Sequence, residues 1–293
     1  MAEARDRFSR PAGAWVDPPA FNRLTAFARR APSFLVLGAQ RSGTTTLYRH
    51  LTAHPWIAAA LRKEVHYFDF QFAKGRRWYL AHFPPARPWR RDGGLLTGEG
   101  SPYYLVHPLA PGRVHAFNPA MKLIVLLRNP VDRAWSHYRH EVRRGFESLE
   151  FEAALEAEPE RLAGAEEQLR QGPHYYSFAH HHFSYLDRGR YAHYLRAWLD
   201  RFPKNQLLIL DSADLFRDAE GVVNRAFAFL EVPPHPVGEL ALNQAAPTRP
   251  ASELSLAEGA QPTPVVEPDL RKRLEAHFAA DQFRLQTMLE SPD

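Results

Sequence analysis

The segment GAQRSGTTTL, residues 38–47, has the residue types and the spacing that suit it to binding a phosphate group. It follows an apolar run, residues 34–37, that fits a buried strand, and it leads into residues that favour a helix. A loop at a helix N-terminus directs backbone N–H groups at an anion, and the helix start carries about half a positive charge. Gly43 suits a tight turn, and further donors come from Arg41, Ser42, Thr44, Thr45 and Thr46. The segment therefore predicts an anion-binding loop.

The spacing of this loop nearly matches the G-x4-G-K-[ST] loop of nucleoside-triphosphate-binding proteins. Gly38 and Gly43 occupy the glycine positions, but Thr44 replaces the lysine that reaches the β- and γ-phosphates. A loop without that lysine is poorly suited to a triphosphate with magnesium, whereas Arg41 places a cation inside the loop. Two interpretations stay open at this point: a loop for a ligand with less charge at its 5′ end, and a purely structural turn.

A second strand–helix unit, residues 121–144, carries another pair of anion-binding side chains. Residues 123–127 form a continuous apolar run, which is typical of a parallel strand covered on both faces. Asn129 is predicted to cap the helix that follows. Arg128 offers a guanidinium fork at the end of the strand, and Ser136 offers a hydroxyl on the helix. The alternative for Arg128 is a surface ion pair with Asp132.

Residues 61–70, LRKEVHYFDF, contain a candidate general base. Their period-two pattern fits extended backbone, in which Glu64 and His66 face one side and Asp69 the other. Glu64 is the candidate that takes the proton from an acceptor hydroxyl or amine, and His66 is placed to orient it or to contact the acceptor. The alternatives are an ordinary exposed charge pair for Lys63 and Glu64, and a packed core histidine for His66.

Together, these three segments resemble the PAPS-dependent sulfotransferases, and among them the heparan sulfate (3-O/N-) sulfotransferase branch. GAQRSGTTTL is similar to the 5′-phosphosulfate loop of that family, LLRNPVDRAWSHY to its 3′-phosphate motif, and RKEVHYFDF to its segment with the catalytic carboxylate. The resemblance covers about residues 33–285. It implies an α/β fold, a P-loop-like three-layer domain with a central parallel sheet flanked by helices.

The resemblance also implies roles for individual residues and a donor, PAPS, with no metal. Arg128 and Ser136 would bind the 3′-phosphate, with Arg249 as a replacement for a basic loop found in relatives. Glu64 would be the catalytic base. Arg41 stands where most of the family has a lysine that stabilises the bridging oxygen, and an arginine keeps the charge but cannot readily donate a proton. The residues expected to contact the acceptor substrate are Lys63, His66, Asp69 and Ser101.

The function expected from the resemblance is transfer of a sulfuryl group from PAPS to the hydroxyl or amine of a small molecule or saccharide, with release of adenosine 3′,5′-bisphosphate. One alternative is a P-loop nucleotide kinase or other phosphotransferase, against which the missing lysine argues. The other is a PAPS-binding homologue without turnover, for which the altered Arg41 gives some support. The sequence does not indicate an oligomeric state.

Composition limits the remaining possibilities. The 293 residues suit a peripheral segment, residues 1–32, followed by a single domain, residues 33–290. Cysteine is absent, so disulfides and thiolate sites are excluded. The net charge of +4 is too small to indicate a nucleic-acid partner. No apolar run reaches the roughly 18 residues of a membrane span, and the first residues lack the core of a signal peptide. We therefore expect a cytoplasmic, bacterial enzyme.

The rest of the chain alternates between apolar runs and amphipathic stretches. A strand is predicted near residues 95–100 and another at 206–210. Helices are predicted at 151–169, 190–202, 219–230 and 268–289. Such alternation indicates a parallel α/β sheet. The three adjacent histidines at 180–182 point in different directions on a helix or strand and have no carboxylate spaced to complete a metal site.

Overall fold

A parallel five-stranded sheet forms the centre of the fold, with strands in the order β2-β3-β1-β4-β5. The computed structural model describes residues 17–86, 96–172, 175–238 and 266–290. The strands are β1 Phe34–Gly38, β2 Ile57–Ala59, β3 Leu96–Glu99, β4 Lys122–Leu127 and β5 Leu207–Asp211. The predicted α/β fold with a central parallel sheet flanked by helices is confirmed.

The helices of the described residues lie between and after these strands. They are α1 Ala20–Leu24, α2 Thr44–Ala53, α3 Gly75–Leu80, α4 Ala110–Phe117, α5 Pro130–Arg143, α6 Phe151–Leu162, α7 Ala165–Gln171, α8 Phe178–His182, α9 Tyr191–Leu199, α10 Ser212–Arg217, α11 Ala219–Phe229 and α12 Pro268–Glu290. Short 3-10 segments are Ala26–Ala28, Phe72–Lys74, Pro102–Leu105, Asp187–Gly189 and Lys204–Gln206. None of the helices in the described ranges is both long and apolar enough to cross a membrane.

The position of β1 explains where a ligand can bind. From β1 the chain crosses to β2 and β3 on one side, and from β3 it crosses to β4 on the other side. The connections after β1 and β4 therefore diverge at the carboxyl ends of these neighbouring strands. In open α/β sheets ligands bind at such a switch point. The glycine loop after β1 and Arg128 after β4 both lie at this edge.

Alternate side chains of the central strands pack on opposite faces of the sheet. Leu35 and Val125 belong to a core shared with α9, whereas Val36 and Ile124 belong to a core shared with α2 and α11. A third apolar cluster joins α5, α6 and α12. Because both faces of β1 and β4 are buried, their sequences are continuous apolar runs rather than alternating ones.

Three sequence-based expectations differ from the structure. The helix predicted over 151–169 is two helices, because Gly164 adopts a left-handed conformation (φ 71°) that interrupts the helical path. Residues 61–70 contain no strand and form a series of turns. The short strand β2 was missed, since a three-residue strand is too short to give a periodic signal. The division into residues 1–32 and 33–290 stays a prediction.

Asn129 caps α5 as expected. Its side-chain oxygen accepts hydrogen bonds from the backbone N–H groups of Val131 (3.0 Å) and Asp132 (3.2 Å). Among the described residues Asp132 forms its ion pair with Arg271 of α12, whereas the guanidinium of Arg128 donates to the backbone carbonyl of Arg41. The cap fixes the start of α5 directly after the residue that ends β4.

Replacing Asn129 with Ala should lower the free energy of unfolding by about 1 kcal/mol, because two N–H groups of the first turn lose their acceptor. Urea unfolding followed by circular dichroism measures the change. Asn129→Asp is the matched control, since its carboxylate is also a good N-cap acceptor. Equal destabilisation by both substitutions would contradict the capping role.

Candidate active site

The glycine loop between β1 and α2 is held from two sides. The N–H of Ala39 donates to the carbonyl of Leu126 in β4 at 2.8 Å, and the hydroxyl of Ser212 donates to the carbonyl of Ser42 at 2.8 Å. Gly43 has a left-handed conformation (φ 93°), which favours glycine at the position immediately before α2. These contacts attach the loop to the edge of the sheet and to α10.

The N-terminus of α2 is suited to receive an anion. In the described part of the chain no side chain caps this helix, so its first N–H groups are not used by a capping residue. Thr44 is buried at the helix start, Thr46 is half-buried and Thr45 is exposed. The loop thus presents backbone donors and hydroxyl groups at one place, as a 5′-phosphosulfate or a phosphate would need.

Arg41 connects the loop to the second strand–helix unit. Its Nε donates to the hydroxyl of Ser136 on α5 at 3.1 Å. Arg128 donates from its guanidinium to the backbone carbonyl of Arg41, also at 3.1 Å. The hydroxyl of Tyr191 on α9 donates to the carbonyl of Arg128 at 2.9 Å. The two predicted anion-binding elements are therefore neighbours, and the expected binding residues contact one another.

Positive charge is concentrated around Arg41. Burial lowers the pKa of this guanidinium, and the nearby charges of Arg143 and Arg128 lower it further, while Glu141 partly opposes them. A cluster of guanidinium groups repels itself unless an anion or an acidic side chain balances it. The residues at this edge of the sheet therefore fit a ligand with several negative charges.

Glu64 lies between two cationic side chains. Lys63 places its Nζ 2.7 Å from Oε1 of Glu64, and His66 places its Nε2 3.5 Å from Oε2. The other ring nitrogen of His66, Nδ1, lies 2.7 Å from a carboxylate oxygen of the fully buried Asp69. The Glu64 side chain is 46% exposed, so its carboxylate is accessible to an acceptor from solvent.

The charges in this cluster stabilise one another. Burial disfavours ionised Glu64, but the hydrogen bond from His66 and the charge of Lys63 outweigh it and lower the pKa of Glu64 to about 2. Burial also disfavours the charged form of His66, but Asp69 and Glu64 raise its pKa to about 10. Glu64 is therefore ionised at neutral pH, and His66 is an imidazolium that bridges two carboxylates.

The prediction that Asp69 faces away from His66 is wrong. His66 adopts a left-handed conformation (φ 54°), and its carbonyl accepts from the N–H of Gln71 at 2.9 Å. This turn brings Asp69 back to the side of Glu64 and His66, where extended backbone would have separated them. The side-by-side carboxylate and imidazole that the sequence predicted are present, but a turn rather than a strand produces them.

The buried carboxylate of Glu99 stabilises the turn that contains His66. The carboxylate of Glu99, at the end of β3, accepts from the hydroxyls of Tyr104 (2.6 Å) and Ser101 (2.7 Å) and from the N–H of Val65 (3.4 Å). Ser101 in turn accepts from the N–H of His66 at 3.0 Å. Burial raises the pKa of Glu99 to about 7 despite these donors. Ser101, expected to contact substrate, is fully buried, and its bonds hold His66 in place.

Arg188 links the glycine loop to α8, a connection that the sequence did not indicate. Its guanidinium donates to the side-chain oxygen of Gln40 in the loop. It also donates to the backbone carbonyls of His180 (2.7 Å) and His181 (3.0 Å) and lies over the ring of Tyr103. The only sequence signal was a basic residue in a glycine-containing turn, which is too common to single out.

Two expectations concern residues away from this cluster. Arg249 lies outside the described residues. Among the residues that the structure describes, no group of three or more His, Asp or Glu side chains could hold a metal ion, and the histidines at 180–182 bond to protein groups instead. The catalytic and ligand-binding roles assigned to individual residues stay predictions.

Comparison with known proteins identifies the family. The family model described as "Sulfotransferase domain" matches residues 31–244 of this chain. The chain belongs to the sulfotransferase family. Human heparan sulfate glucosamine 3-O-sulfotransferase 6 is 33% identical over 207 residues, which are 69% of this chain and 53% of that protein. This sulfotransferase-family chain thus spans about half the length of that curated relative.

Other relatives agree with this assignment. The bifunctional heparan sulfate N-deacetylase/N-sulfotransferase 1 of Caenorhabditis elegans is 27% identical over 225 residues, 75% of this chain and 24% of that protein. A crystal structure of a sulfotransferase from Alicyclobacillus acidocaldarius aligns with a TM-score of 0.63 and 29% identity, covering 90% of this chain and 98% of that one. The resemblance inferred from the three motifs is confirmed.

The proton on His66 can be tested directly. In [15N]histidine-labelled protein, His66 should remain an imidazolium at pH 8, where a free imidazole is neutral. Asp69→Asn should lower the pKa of His66, because the imidazolium ring loses its buried anionic partner. Because the folded-state pKa is raised, the imidazolium stabilises the fold fully below about pH 6.5 and this contribution is lost as the pH rises through about 10.

The matched control is Asp200→Asn, which removes an exposed carboxylate in a long (3.9 Å) contact with Arg196 at the end of α9. Titration of His66 near its ordinary value in the unaltered protein, or an unchanged titration in the Asp69→Asn variant, would contradict the described charge arrangement.

Proposed function

We propose that the protein transfers the sulfuryl group of PAPS to a hydroxyl or amine of a saccharide acceptor and releases adenosine 3′,5′-bisphosphate. The observation that carries this proposal is the contact between the glycine loop and the β4–α5 unit through Arg41, Arg128 and Ser136. PAPS has anionic groups at both its 5′ and its 3′ position. Two adjoining elements with anion-binding residue types suit such a donor.

The loop would hold the 5′-phosphosulfate, and Arg128 with Ser136 would hold the 3′-phosphate. PAPS supplies a sulfuryl group on a phosphate leaving group. Arg41 places positive charge beside the loop, where charge develops on the leaving oxygen. In the structure Arg41 donates to Ser136, so binding of a 3′-phosphate to Ser136 and of a 5′ group to the loop would both change the surroundings of Arg41.

Glu64 would remove the proton of the acceptor. As the acceptor oxygen or nitrogen forms its bond to sulfur, the bond from sulfur to the phosphate oxygen breaks and the acceptor proton passes to Glu64. A carboxylate with a lowered pKa is a weak base for a free alcohol. The alcohol becomes much more acidic as its oxygen bonds to sulfur, and Glu64 is ionised and ready to accept at that stage.

A saccharide acceptor is favoured by two considerations. The relatives that cover most of this chain are named for sulfation of heparan sulfate, a saccharide. The residues around the base are also polar, and the ammonium group of Lys63, which has three N–H donors, can donate to a hydroxyl or anionic group of a sugar as well as to Glu64. O- and N-sulfation both remain within this proposal, and so do the predicted cytoplasmic location and bacterial origin.

The kinase alternative lacks support from specific residues. Thr44 occupies the position of the loop lysine, and its side chain is buried at the start of α2. A PAPS-binding protein without turnover would retain the anion sites, so the base distinguishes it from an enzyme. Transfer of 35S from labelled PAPS to a panel of oligosaccharides and simple alcohols separates these possibilities. Transfer of phosphate from MgATP, with none of sulfate, would overturn the proposal.

Glu64→Gln should lower the rate of sulfate transfer by about 10²- to 10⁴-fold, because the amide cannot take the acceptor proton. Calorimetry should show nearly unchanged binding of adenosine 3′,5′-bisphosphate, since Glu64 does not contact the loop residues described above. Glu160→Gln, an exposed position on α6, is the control for loss of one surface charge. Full activity of the Glu64→Gln variant would refute the assigned base.

A further inference from the structure

The histidine-rich helix α8 lies beside the turn that carries the base. The ring of His181 is 6.5 Å from the ring of His66 in an edge-to-face arrangement. It also packs against Tyr103 at 4.8 Å and Phe70 at 5.0 Å, measured between ring centroids. Since His66 lies 3.5 Å from the carboxylate of Glu64, one side chain, His66, separates His181 from the proposed base.

A chain of hydrogen bonds runs from His181 into the interior. Nδ1 of His181 lies 2.8 Å from the hydroxyl oxygen of Tyr176, which lies 3.0 Å from Nε2 of His182. Nδ1 of His182 lies 2.9 Å from a carboxylate oxygen of Glu141 on α5. His182 and Glu141 are almost fully buried, whereas His181 is half-buried. The chain therefore begins at a buried carboxylate and ends at a partly exposed imidazole.

The charge states along this chain follow from its surroundings. Burial opposes ionisation of Glu141, but His137 and His182 lower its pKa well below the usual range. Burial lowers the pKa of His182, although Glu141 opposes the shift. Burial and the positive charges of neighbours lower the pKa of His181 well below its usual range. At neutral pH the chain thus contains one carboxylate and two neutral imidazoles.

These charge states determine the position of every proton. A carboxylate only accepts, so Nδ1 of His182 carries a proton and its Nε2 is a lone pair. The hydroxyl of Tyr176 must donate to that lone pair, and its oxygen is then left to accept from Nδ1–H of His181. A neutral His181 with a proton on Nδ1 has a lone pair on Nε2. Within the described parts of the chain, Nε2 of His181 has no hydrogen-bond partner.

We propose that His181 positions the acceptor substrate: its Nε2 accepts a hydrogen bond from a second hydroxyl or N–H group, next to the group that Glu64 deprotonates. The inference rests on the proposed function and makes it more specific. A simple alcohol has one donor and cannot satisfy both Glu64 and His181. A polyhydroxylated acceptor such as a saccharide, with neighbouring donors, satisfies both.

The hydrogen-bond chain gives this role a signature that does not depend on any acceptor. In [15N]histidine-labelled full-length protein at pH 7, His181 should be the neutral Nδ1–H tautomer, with its signal assigned by loss in His181→Gln. Tyr176→Phe should abolish the preference for that tautomer, because the ring loses the oxygen that fixes its proton. A charged His181, or the Nε2–H tautomer in the unaltered protein, would overturn the proposal.

Kinetics test the contact with the acceptor itself. The assay uses 35S-labelled PAPS and an oligosaccharide of the panel that the unaltered protein sulfates. In this assay His181→Leu should raise KM for the acceptor about tenfold, the effect of one lost hydrogen bond. KM for PAPS should not change. His181→Gln should recover much of the loss, because its side-chain oxygen reaches about as far as Nε2. Tyr176→Phe should also raise KM for the acceptor, but by less than His181→Leu does.

The outcomes separate the two proposals. If the unaltered protein sulfates an oligosaccharide and His181→Leu leaves KM for that acceptor unchanged, the role of His181 is refuted and the proposed function stands. Equal increases in both KM values would indicate a general structural effect and would also refute the role. If the unaltered protein transfers sulfate to no acceptor of the panel, the proposed function falls, and the role of His181 with it.

Discussion

Two hydrogen bonds around Arg41 join parts of the chain that the rest of the site depends on. One runs from its guanidinium to Ser136, and the other reaches its backbone carbonyl from Arg128. Each element taken alone is a common structure, a glycine loop at a helix N-terminus and a strand followed by a capped helix. With these two hydrogen bonds the two predicted anion-binding elements meet at the switch point of the sheet. A donor with separated anionic groups is the ligand class that such a pair of elements fits.

The turn that carries Glu64, the proposed base, shows a second constraint: its ionisable side chains lie close together in a partly buried place, and their charges must balance. Glu64 is accessible, and its charge is held by Lys63 and by an imidazolium whose other partner is buried. This arrangement keeps the carboxylate ionised and fixed, at the cost of a lower affinity for protons. The proposed sulfuryl transfer tolerates that lower affinity, because the acceptor becomes acidic only as its bond to sulfur forms. Removing either supporting cation would therefore change the position of the base as well as its basicity.

Much of the fold was predictable because local patterns determine it. The apolar runs of β1 and β4, the glycine loop and the Asn129 cap are each encoded in a few consecutive residues. The conformation of residues 61–70 was not predictable from that segment alone. It depends on hydrogen bonds that the backbone N–H groups of His66 and Val65 donate to Ser101 and Glu99, which are distant in sequence. Propensity suggested extended backbone, and these tertiary contacts outweighed it.

The site was predictable by residue type more than by contact. The sequence predicted anion binding for Arg41, Arg128 and Ser136, a role that stays a prediction, but it could not show that Arg41 contacts Ser136 across 95 residues of chain. It also gave no sign that Arg188 donates a hydrogen bond to the loop or that α8 packs beside His66. Those contacts form where the loop, α5 and α8 meet in the folded protein, so short sequence motifs do not predict them.

The most direct test of the central claim compares ligands that differ by one phosphate. Calorimetric titration should show that adenosine 3′,5′-bisphosphate binds at least about tenfold more tightly than adenosine 5′-phosphate, since a charge-assisted bond to Arg128 is worth roughly 1.5–3 kcal/mol. In Arg128→Ala that preference should largely disappear, while binding of the 5′-phosphate changes little. Equal affinities for the two nucleotides in the unaltered protein would contradict a joint site for both ends of the donor.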